Sequence, residues 1–508
     1  MGQMCFVVPV PGRISEETAR VAYIAGIDRV AWPVRTSLDG DQLVLERSVS
    51  DAGNLHIPWK VEGHGLVTLS TASLAERAQP YQLPLELARG LIGQIRDQLS
   101  EWRISGLQIP KATEEKISEA MGHLRLSATS QENPPASADS AELAIRAGLD
   151  ASDTLVAEYV EQSMSAHSGD GEKPTILFGG RLDSSTPDEP IAGQFLSAFN
   201  AAMVPLSWRE LEASEGHYDW AACDKQFQWC KAKGLKTCSG PLLHLDAASL
   251  PDWLYLWEGD FDEILAFVSE FVTATVKHCR GKVGVWQCAA GLNTSDLLSL
   301  SEEEKLRLAA RVIELVTELD PDTPAVLCLD GPWAEYMSNR DVDFPPLYFA
   351  DALVRAGLNL SGLMLSIDFG YHPGGTLPRG PLEFSRQLDY WGIFGLPLLI
   401  SVSAPSGDRE DALARNRVSL SLSDWTPASQ QAWAARYVPL MLAKPYVQGI
   451  FWNQLTDSHP HSFPHGGLFD QADVAKPVLN ALRDIRQAYL KDLNAPLDDK
   501  PPKAPQTP

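Results

Sequence analysis

The chain has 508 residues, more than one ordinary domain holds, with 44% hydrophobic and 21% charged residues, a balance that suits a globular protein with a large core. Its 42 basic and 66 acidic residues leave a formal charge of −24, which repels polyanions and argues against nucleic acid and anionic membrane as partners. A neutral oligosaccharide or polysaccharide fits that charge better.

The first ten residues carry no basic stretch, and Pro9 and Pro11 interrupt their short apolar run, so no signal peptide is read there. No apolar stretch approaches the ~20 residues of a membrane span. Seven cysteines (Cys5, Cys223, Cys230, Cys238, Cys279, Cys288 and Cys328) are odd in number and lack paired ligand spacing. Reduced, buried thiols in a cytoplasmic protein are the expectation, with no metal and no cofactor.

Short β-rich runs at Val21–Ile24, Arg29–Val34, Gln42–Arg47, Leu55–Val61 and Gly65–Thr71, split by Gly, Asp and Asn turn signals, predict a small antiparallel sheet. Helical spacing then takes over. Leu87, Leu91, Ile92, Ile95 and Leu99 line one face of a helix from Leu83 to Trp102, and two more helices are expected near Ala112–Leu126 and Ala138–Ser165. The polar, glycine-bearing stretch Ala166–Pro174 marks the boundary between an N-terminal β-rich plus helical domain (1–170) and a second domain (174–492). The proline-rich tail, 493–508, is expected to be disordered.

After Pro174 the pattern changes to apolar runs alternating with amphipathic stretches. The runs are Ile176–Gly179, Ala202–Leu206, Lys236–Ser239, Val283–Gln287, Ala325–Leu329, Gly362–Ser366, Pro397–Ser401 and Gly449–Trp452. Helical stretches follow, among them Ser301–Leu319 after the fourth run and Lys476–Leu490 after the eighth. Near-continuous apolar strands alternating with helices indicate a parallel sheet covered on its outer side. Eight such units predict an α/β fold closed into a (β/α)8 TIM barrel. No Gly-x-Gly-x-x-Gly turn follows any strand, which disfavours a dinucleotide fold.

Several segments carry more than periodicity. After the second strand come Trp208, Glu212, Gly216, Tyr218, Trp220 and Asp224; after the third, Pro251 and Trp253; after the eighth, Trp452, Asp457, Gly467-Leu468-Phe469-Asp470 and Lys476-Pro477. In this order they resemble glycoside hydrolase family 10, the endo-β-1,4-xylanases. The resemblance implies a barrel that binds a β-1,4-glycan and hydrolyses its O-glycosyl bonds with two glutamates. One would protonate the leaving oxygen and the other would attack the anomeric carbon from about 5 Å away. Aligned on the family, Gly291 stands at the acid position and Val402 at the nucleophile position. Ala290 replaces the asparagine beside the acid, Ser207 replaces a cleft lysine, and Gly240 falls near a cleft histidine. Neither Gly nor Val can protonate or attack. The chain is thus expected to be a divergent, family-10-like pseudoenzyme.

Other groups could supply chemistry. Asp183, Asp246, Asp330, Asp368 and Asp457, with His244, His372 and Asn293, fall at the C-terminal ends of strands, where barrel enzymes place catalytic groups. Asp330 and Asp368, on strands five and six, are the candidate relocated pair; the alternative for each is an arginine partner or a helix cap. The loop Asp368–Arg379 reads either as a lid carrying Tyr371, His372 and Arg379 or as a long turn. Trp208, Trp253, Trp333 and Trp452 suit sugar stacking at a barrel mouth and equally suit a core. The substrate-binding candidates are Trp208, Asn293, Trp333, Tyr371, His372, Trp452 and Asp457. His459, His461 and His465 read as a surface loop rather than a metal site. Three functions stay open: a non-hydrolytic carbohydrate binder, a hydrolase using Asp330 and Asp368, and an interaction scaffold. Oligomeric state is not legible.

Overall fold

The computed structural model describes residues 2–10, 12–167, 173–340, 344–416, 418 and 425–491. The expected tail at 493–508 and most of the expected boundary segment lie outside these residues. No described helix is long and apolar enough to cross a membrane.

The N-terminal part holds β1 (Gly2–Val7), α1 (Glu16–Arg20), β2 (Tyr23–Ala25), β3 (Ala31–Trp32), β4 (Val34–Asp39), β5 (Gln42–Arg47), β6 (Asn54–Val61), β7 (Gly65–Ser70) and β8 (Tyr81–Gln82). One antiparallel sheet was expected. The structure has two four-stranded sheets, in the orders β4-β5-β1-β8 and β3-β2-β6-β7. The first depends on β1, which sequence reading passed over as a non-signal terminus and which pairs Gly2–Val7 against Arg47–Gln42. Its Met4 and Phe6 alternate inward, as period two requires. Three helices follow: α2 (Leu83–Ile104), α3 (Lys111–Thr129) and α4 (Pro134–His167). Gly90 lets α2 lie close on the second sheet, because a Cβ there would sit 1.9 Å from the Ser70 carbonyl.

From residue 177 the chain alternates β9 (Leu177–Arg181), α5 (Ile191–Ala198), β10 (Ala201–Val204), α6 (Trp208–Leu211), α7 (Ala221–Ala232), β11 (Lys236–Ser239), β12 (Leu243–His244) and α8 (Phe261–Cys279). Next come β13 (Val285–Gln287), β14 (Ala289–Ala290), α9 (Glu302–Leu319), β15 (Ala325–Asp330), α10 (Pro346–Arg355), β16 (Gly362–Asp368) and α11 (Pro381–Trp391). The last are β17 (Leu398–Ser403), α12 (Pro427–Leu442), β18 (Val447–Trp452) and α13 (Pro477–Tyr489). Eight strands close into one parallel barrel, β9 pairing with both β10 and β18. This is the (β/α)8 barrel that the apolar alternation predicts. β12 and β14 form a second short ladder just beyond β11 and β13, raising the rim on that side.

Alternate residues of each strand face the barrel axis. Met203, Cys238, Val326, Cys328, Met364 and Phe451 fill the interior, while Leu327, Leu365, Ile400, Val402 and Trp452 pack outward against the helices. The barrel is a packed core, with inward polar groups such as Arg181, Ser366 and Asp368 towards its C-terminal end.

The N-terminal sheets lean on that end. Tyr23, Ala25 and Ala31 pack with Ala334, Met337 and Leu377 from the loops after β15 and β16. The buried Arg379 guanidinium meets Glu335 Oε1 and the Tyr23 hydroxyl, each at 2.5 Å. Its carbonyl accepts from Tyr437 on α12.

Candidate functional site

Strand parity decides which predicted residues reach the barrel mouth. On β15, Val326 and Cys328 face inward, so Asp330 does too; on β16, Met364 places Ser366 and Asp368 inward. The two carboxylates come from neighbouring strands. Asp330 pairs in register with Ser366, so Asp368 lies one strand across and two residues along, about 8 Å from it at Cα. On β17, Leu399 faces inward, so the inward positions above it are Ser401 and Ser403.

That parity corrects the reading of Val402. Its side chain is on the outer face, in the layer between barrel and helices. An inward group on strand seven would stand at 401 or 403, and both are serines. Gly291 lies just beyond β14 with φ +75. A Cβ there would come 3.0 Å from the Leu245 carbonyl and 3.3 Å from the His244 ring. Left-handed backbone and crowding together disfavour any side chain at this position.

The Gly291 N–H donates to Asp330 Oδ2 at 2.7 Å. Asn293 grips the same residue's backbone, donating to its carbonyl at 2.7 Å and accepting its N–H at 3.2 Å. Asn293 thus shapes the rim and holds Asp330 rather than facing a ligand. Asp368 is 6% exposed. It accepts hydrogen bonds from the hydroxyl of Ser403 and, at 3.2 Å, from that of Ser366, with Asn453 at 3.5 Å. Burial pushes its carboxyl up to about 6, the Ser403 bond opposing and the charge on Asp330 reinforcing the rise. Asp368 therefore carries a proton for part of the time near neutral pH.

Sequence reading missed several members of this mouth. Arg181, inward on β9 two positions beyond Gly179, puts a guanidinium there. Gln287 on β13 is buried and bonded to thiols, donating to Cys238 Sγ at 3.2 Å and accepting from Cys328 at 3.8 Å. Ser366, Ser401, Ser403 and Asn453 complete the polar layer. The signal available was the period-two parity of each strand followed one step past its apolar run. His244 stands on β12 with Nδ1 3.1 Å from Ser249 Oγ. Burial holds its imidazole below the ordinary range, against the pull of Asp330 and Asp246.

Other candidates lie elsewhere. Trp208 is 2%, Trp333 4% and Trp452 1% exposed. Trp208 stacks on Phe271 and donates to Glu212; Trp452 packs edge-on to Trp433 and donates to the Gly466 carbonyl. Trp333 sits edge-on to Phe384. Trp253 is partly buried and packs on Trp208 and Phe267. None of Trp208, Trp333 and Trp452 offers a free face to a sugar, because each fills the layer between strands and helices or under the N-terminal sheets. Tyr371 is fully buried against Phe463, its hydroxyl donating to the Pro464 carbonyl. With Arg379 buried as well, the loop Asp368–Arg379 is a packed turn and its tyrosine and arginine are structural, not a lid's contact groups. His372 is partly exposed there, its imidazole lowered by burial. Asp457 is buried in an ion pair with Lys476 and accepts from Gln454 and the Gly467 N–H. It anchors the last loop.

The histidines of that loop are not loosely exposed either. His461 is 7% exposed and bonds Asp411 Oδ2 through Nε2 at 3.0 Å. The same carboxylate accepts the backbone N–H of His465. Among the described residues no group of three or more His, Cys, Asp and Glu side chains is arranged to hold a metal.

No family model matches the chain, and no curated protein does. Solved structures do resemble it. Xylanase 10B from Thermotoga maritima shares 16% identity over 65% of this chain and 97% of its own, with a TM-score of 0.46. A family-10 endoxylanase retrieved from a sugarcane soil metagenome shares 13% over 63% and 99%, TM-score 0.47. An intracellular xylanase from Thermoanaerobacterium saccharolyticum, solved with xylotriose, shares 16% over 61% and 95%, TM-score 0.46. These are likenesses of fold alone.

Proposed function

We propose that this chain binds a β-1,4-linked glycan at the C-terminal mouth of its barrel and does not cleave it by a two-glutamate mechanism. The observation that carries this reading is the composition of the inward-facing rim. Where a retaining glycosidase needs two opposed carboxyls, strand seven offers Ser401 and Ser403, and the tip of strand four offers a left-handed glycine. The remaining rim (Asp330, Asp368, Ser401 and Asn453) mixes acceptors with groups that both donate and accept, which suits sugar hydroxyls. A cytoplasmic location fits the seven free cysteines. Titration calorimetry with xylotetraose and cellotetraose tests the binding, and reducing-end release from xylan tests the cleavage. Binding without release is expected. No heat with either tetrasaccharide overturns the first half, and sustained release overturns the second.

A second reading has its own support. Asp368 keeps its proton to higher pH than an ordinary carboxyl, up to about 6, and the charge of Asp330 reinforces that retention. Both side chains face the mouth from neighbouring strands, the arrangement a pair of acid and base carboxyls requires. Under this reading Asp368 is the acid and Asp330 the base. A screen of aryl glycosides decides it: turnover lost in both Asp330→Asn and Asp368→Asn is the required result.

A further inference from the structure

Arg181 is the one residue of the mouth whose placement the glycan reading leaves unexplained. It ends β9 in the inward parity, is only partly exposed, and pairs along the ladder with Met203. Among the described residues its guanidinium has no hydrogen bond and no carboxylate within 4 Å. Buried arginines are otherwise paired, because the guanidinium cannot shed its charge and its five donors suffer when desolvated. The fully buried Arg379 at this end is paired with Glu335, whereas the partly exposed Arg181 keeps its donors open to the mouth.

A second unpaired cation stands near it. Asp183, two residues beyond Arg181, lies 3.7 Å from His459. His461 is bridged to Ala414, and Arg415 donates its N–H to the His461 carbonyl. This chain of contacts brings the loop after β17 over the end of β9; Arg181 feels the opposing charge of Asp183 more strongly than the like charge of Arg415, and both arginines act on His244. The Arg415 guanidinium is exposed and also has no partner among the described residues. His244 Nε2 likewise has none. The acids nearby offset these cations only in part. Asp183 is pushed up to about 6, chiefly by burial, and Asp368 behaves alike, so both can take up a proton where Arg181 cannot lose one. Asp330, Asp246 and Glu210 also contribute negative charge to this region.

We infer that the ligand of this mouth is an acidic glycan, one sugar unit of which carries a carboxylate that Arg181 binds, with Arg415 and His244 Nε2 as further donors. A planar guanidinium matches a carboxylate through two parallel hydrogen bonds. The net charge of −24 opposes approach of an anion at long range but is screened beyond about 10 Å at 0.1 M salt, while the unpaired arginine acts at contact. This inference rests on the glycan-binding reading and replaces its neutral ligand by a uronate-bearing one.

Calorimetry tests it with four probes: neutral xylotetraose, a xylotetraose bearing one glucuronate, free glucuronate, and inorganic phosphate. The glucuronate-bearing tetrasaccharide should bind at least tenfold more tightly than the neutral one. Arg181→Met should abolish that preference, bringing the two tetrasaccharides within twofold of each other, and Arg181→Lys should restore part of it. Thermal unfolding of each variant establishes that it folds. Equal binding of the two tetrasaccharides to the unaltered protein overturns the inference and leaves the glycan reading standing. Phosphate or free glucuronate binding as tightly as the decorated tetrasaccharide, in an Arg181-dependent way, also overturns it in favour of a small-anion site. Failure of both tetrasaccharides to bind removes the glycan reading beneath it.

Discussion

At the scale of single residues, the mouth is governed by which carboxyls hold protons. Asp368 is buried, and hydroxyl donors only partly compensate its charge, so its folded-state pKa of about 6 lies above the ordinary value of 3.8. Below pH 4 the carboxyl is protonated in both folded and unfolded chains and contributes no penalty. As pH rises from about 4 to 6 the unfolded chain ionises while the folded one resists, so stability falls, and it levels off above 6. The full difference is about 3 kcal/mol by the 1.36 kcal/mol per pKa unit of linkage. Asp368→Asn removes the charge and keeps the shape, and the Ser366 and Ser403 hydroxyls can rotate to suit an amide. Its melting temperature is expected to exceed that of the unaltered protein at pH 8, with the gap narrowing to about a third by pH 4.5. Thermal denaturation of both proteins across that range checks it, and a gap independent of pH would place the Asp368 carboxyl in the ordinary range. Asp183 titrates in the same window but is common to both proteins and cancels from their difference.

At the scale of elements, the barrel strands were legible because each is a short apolar run bounded by turn residues, and all eight were located to within two residues or so at most ends. Helices such as α9 were equally plain, since Ser301 and Glu304 form a reciprocal capping box at its start. The limits of sequence reading lie where tertiary contacts decide. β1 is absent from the strands read in the sequence because nothing local shows that Gln42–Arg47 will pair with it. Val402 was placed at a catalytic position because a linear match carries no parity, and a slip of one residue turns a strand side chain to the opposite face. The tryptophans had positions suited to a cleft, yet only packing shows that the strand-to-helix layer takes them. Asp411 is a further element-scale feature that no motif announces. Its carboxylate, fully buried, joins the loop after β17 to the loop after β18 through His461, the N–H groups of His465 and Leu413, and Gln471. Burial alone would raise its pKa, but these donors outweigh it and hold the carboxyl below the usual range. Its stabilising effect is therefore present above the unfolded value and is lost as pH falls through the folded one. Asp411→Ala should cost about 2–4 kcal/mol by leaving buried donors unmatched. Amide hydrogen exchange should then speed up in residues 405–416 and 459–471 while β15 and β16 stay protected; uniform acceleration across the barrel would contradict this local role.

At the scale of the whole molecule, the question is whether the N-terminal sheets are an appendage or part of one cooperative unit. Their contact with the barrel is buried and includes charge. Arg379, 2% exposed, lies between Glu335 from the loop after β15 and Tyr23 from β2, with Glu383 3.7 Å away. Glu335 in turn accepts the Leu377 N–H at 2.8 Å. Tyr23 stacks on His56 with ring centroids 4.8 Å apart, and burial together with the Arg379 charge keeps that imidazole well below its usual range. The Thr68 N–H of β7 donates to the Pro378 carbonyl at 2.6 Å. A buried pair of this kind adds little net stability compared with apolar packing, but removing one partner strands the other charge in a dry site at a cost of about 3–5 kcal/mol. Because Arg379 and Glu335 are barrel residues buried beside Tyr23 of the sheets, that cost is felt while the sheets are docked and falls on their union. The unaltered protein is expected to unfold in a single calorimetric transition. Glu335→Gln should lower the first melting step and split it from the second, with the Tyr23 and His56 region exchanging amide hydrogens in the earlier step. Tyr23→Phe, which removes one hydrogen bond and keeps the charge pair, should lower the melting temperature by a smaller amount without splitting it. Two transitions in the unaltered protein would make the sheets an independent unit. They would also free the strand-five and strand-six side of the mouth, which the sheets now flank, to open without unfolding the barrel.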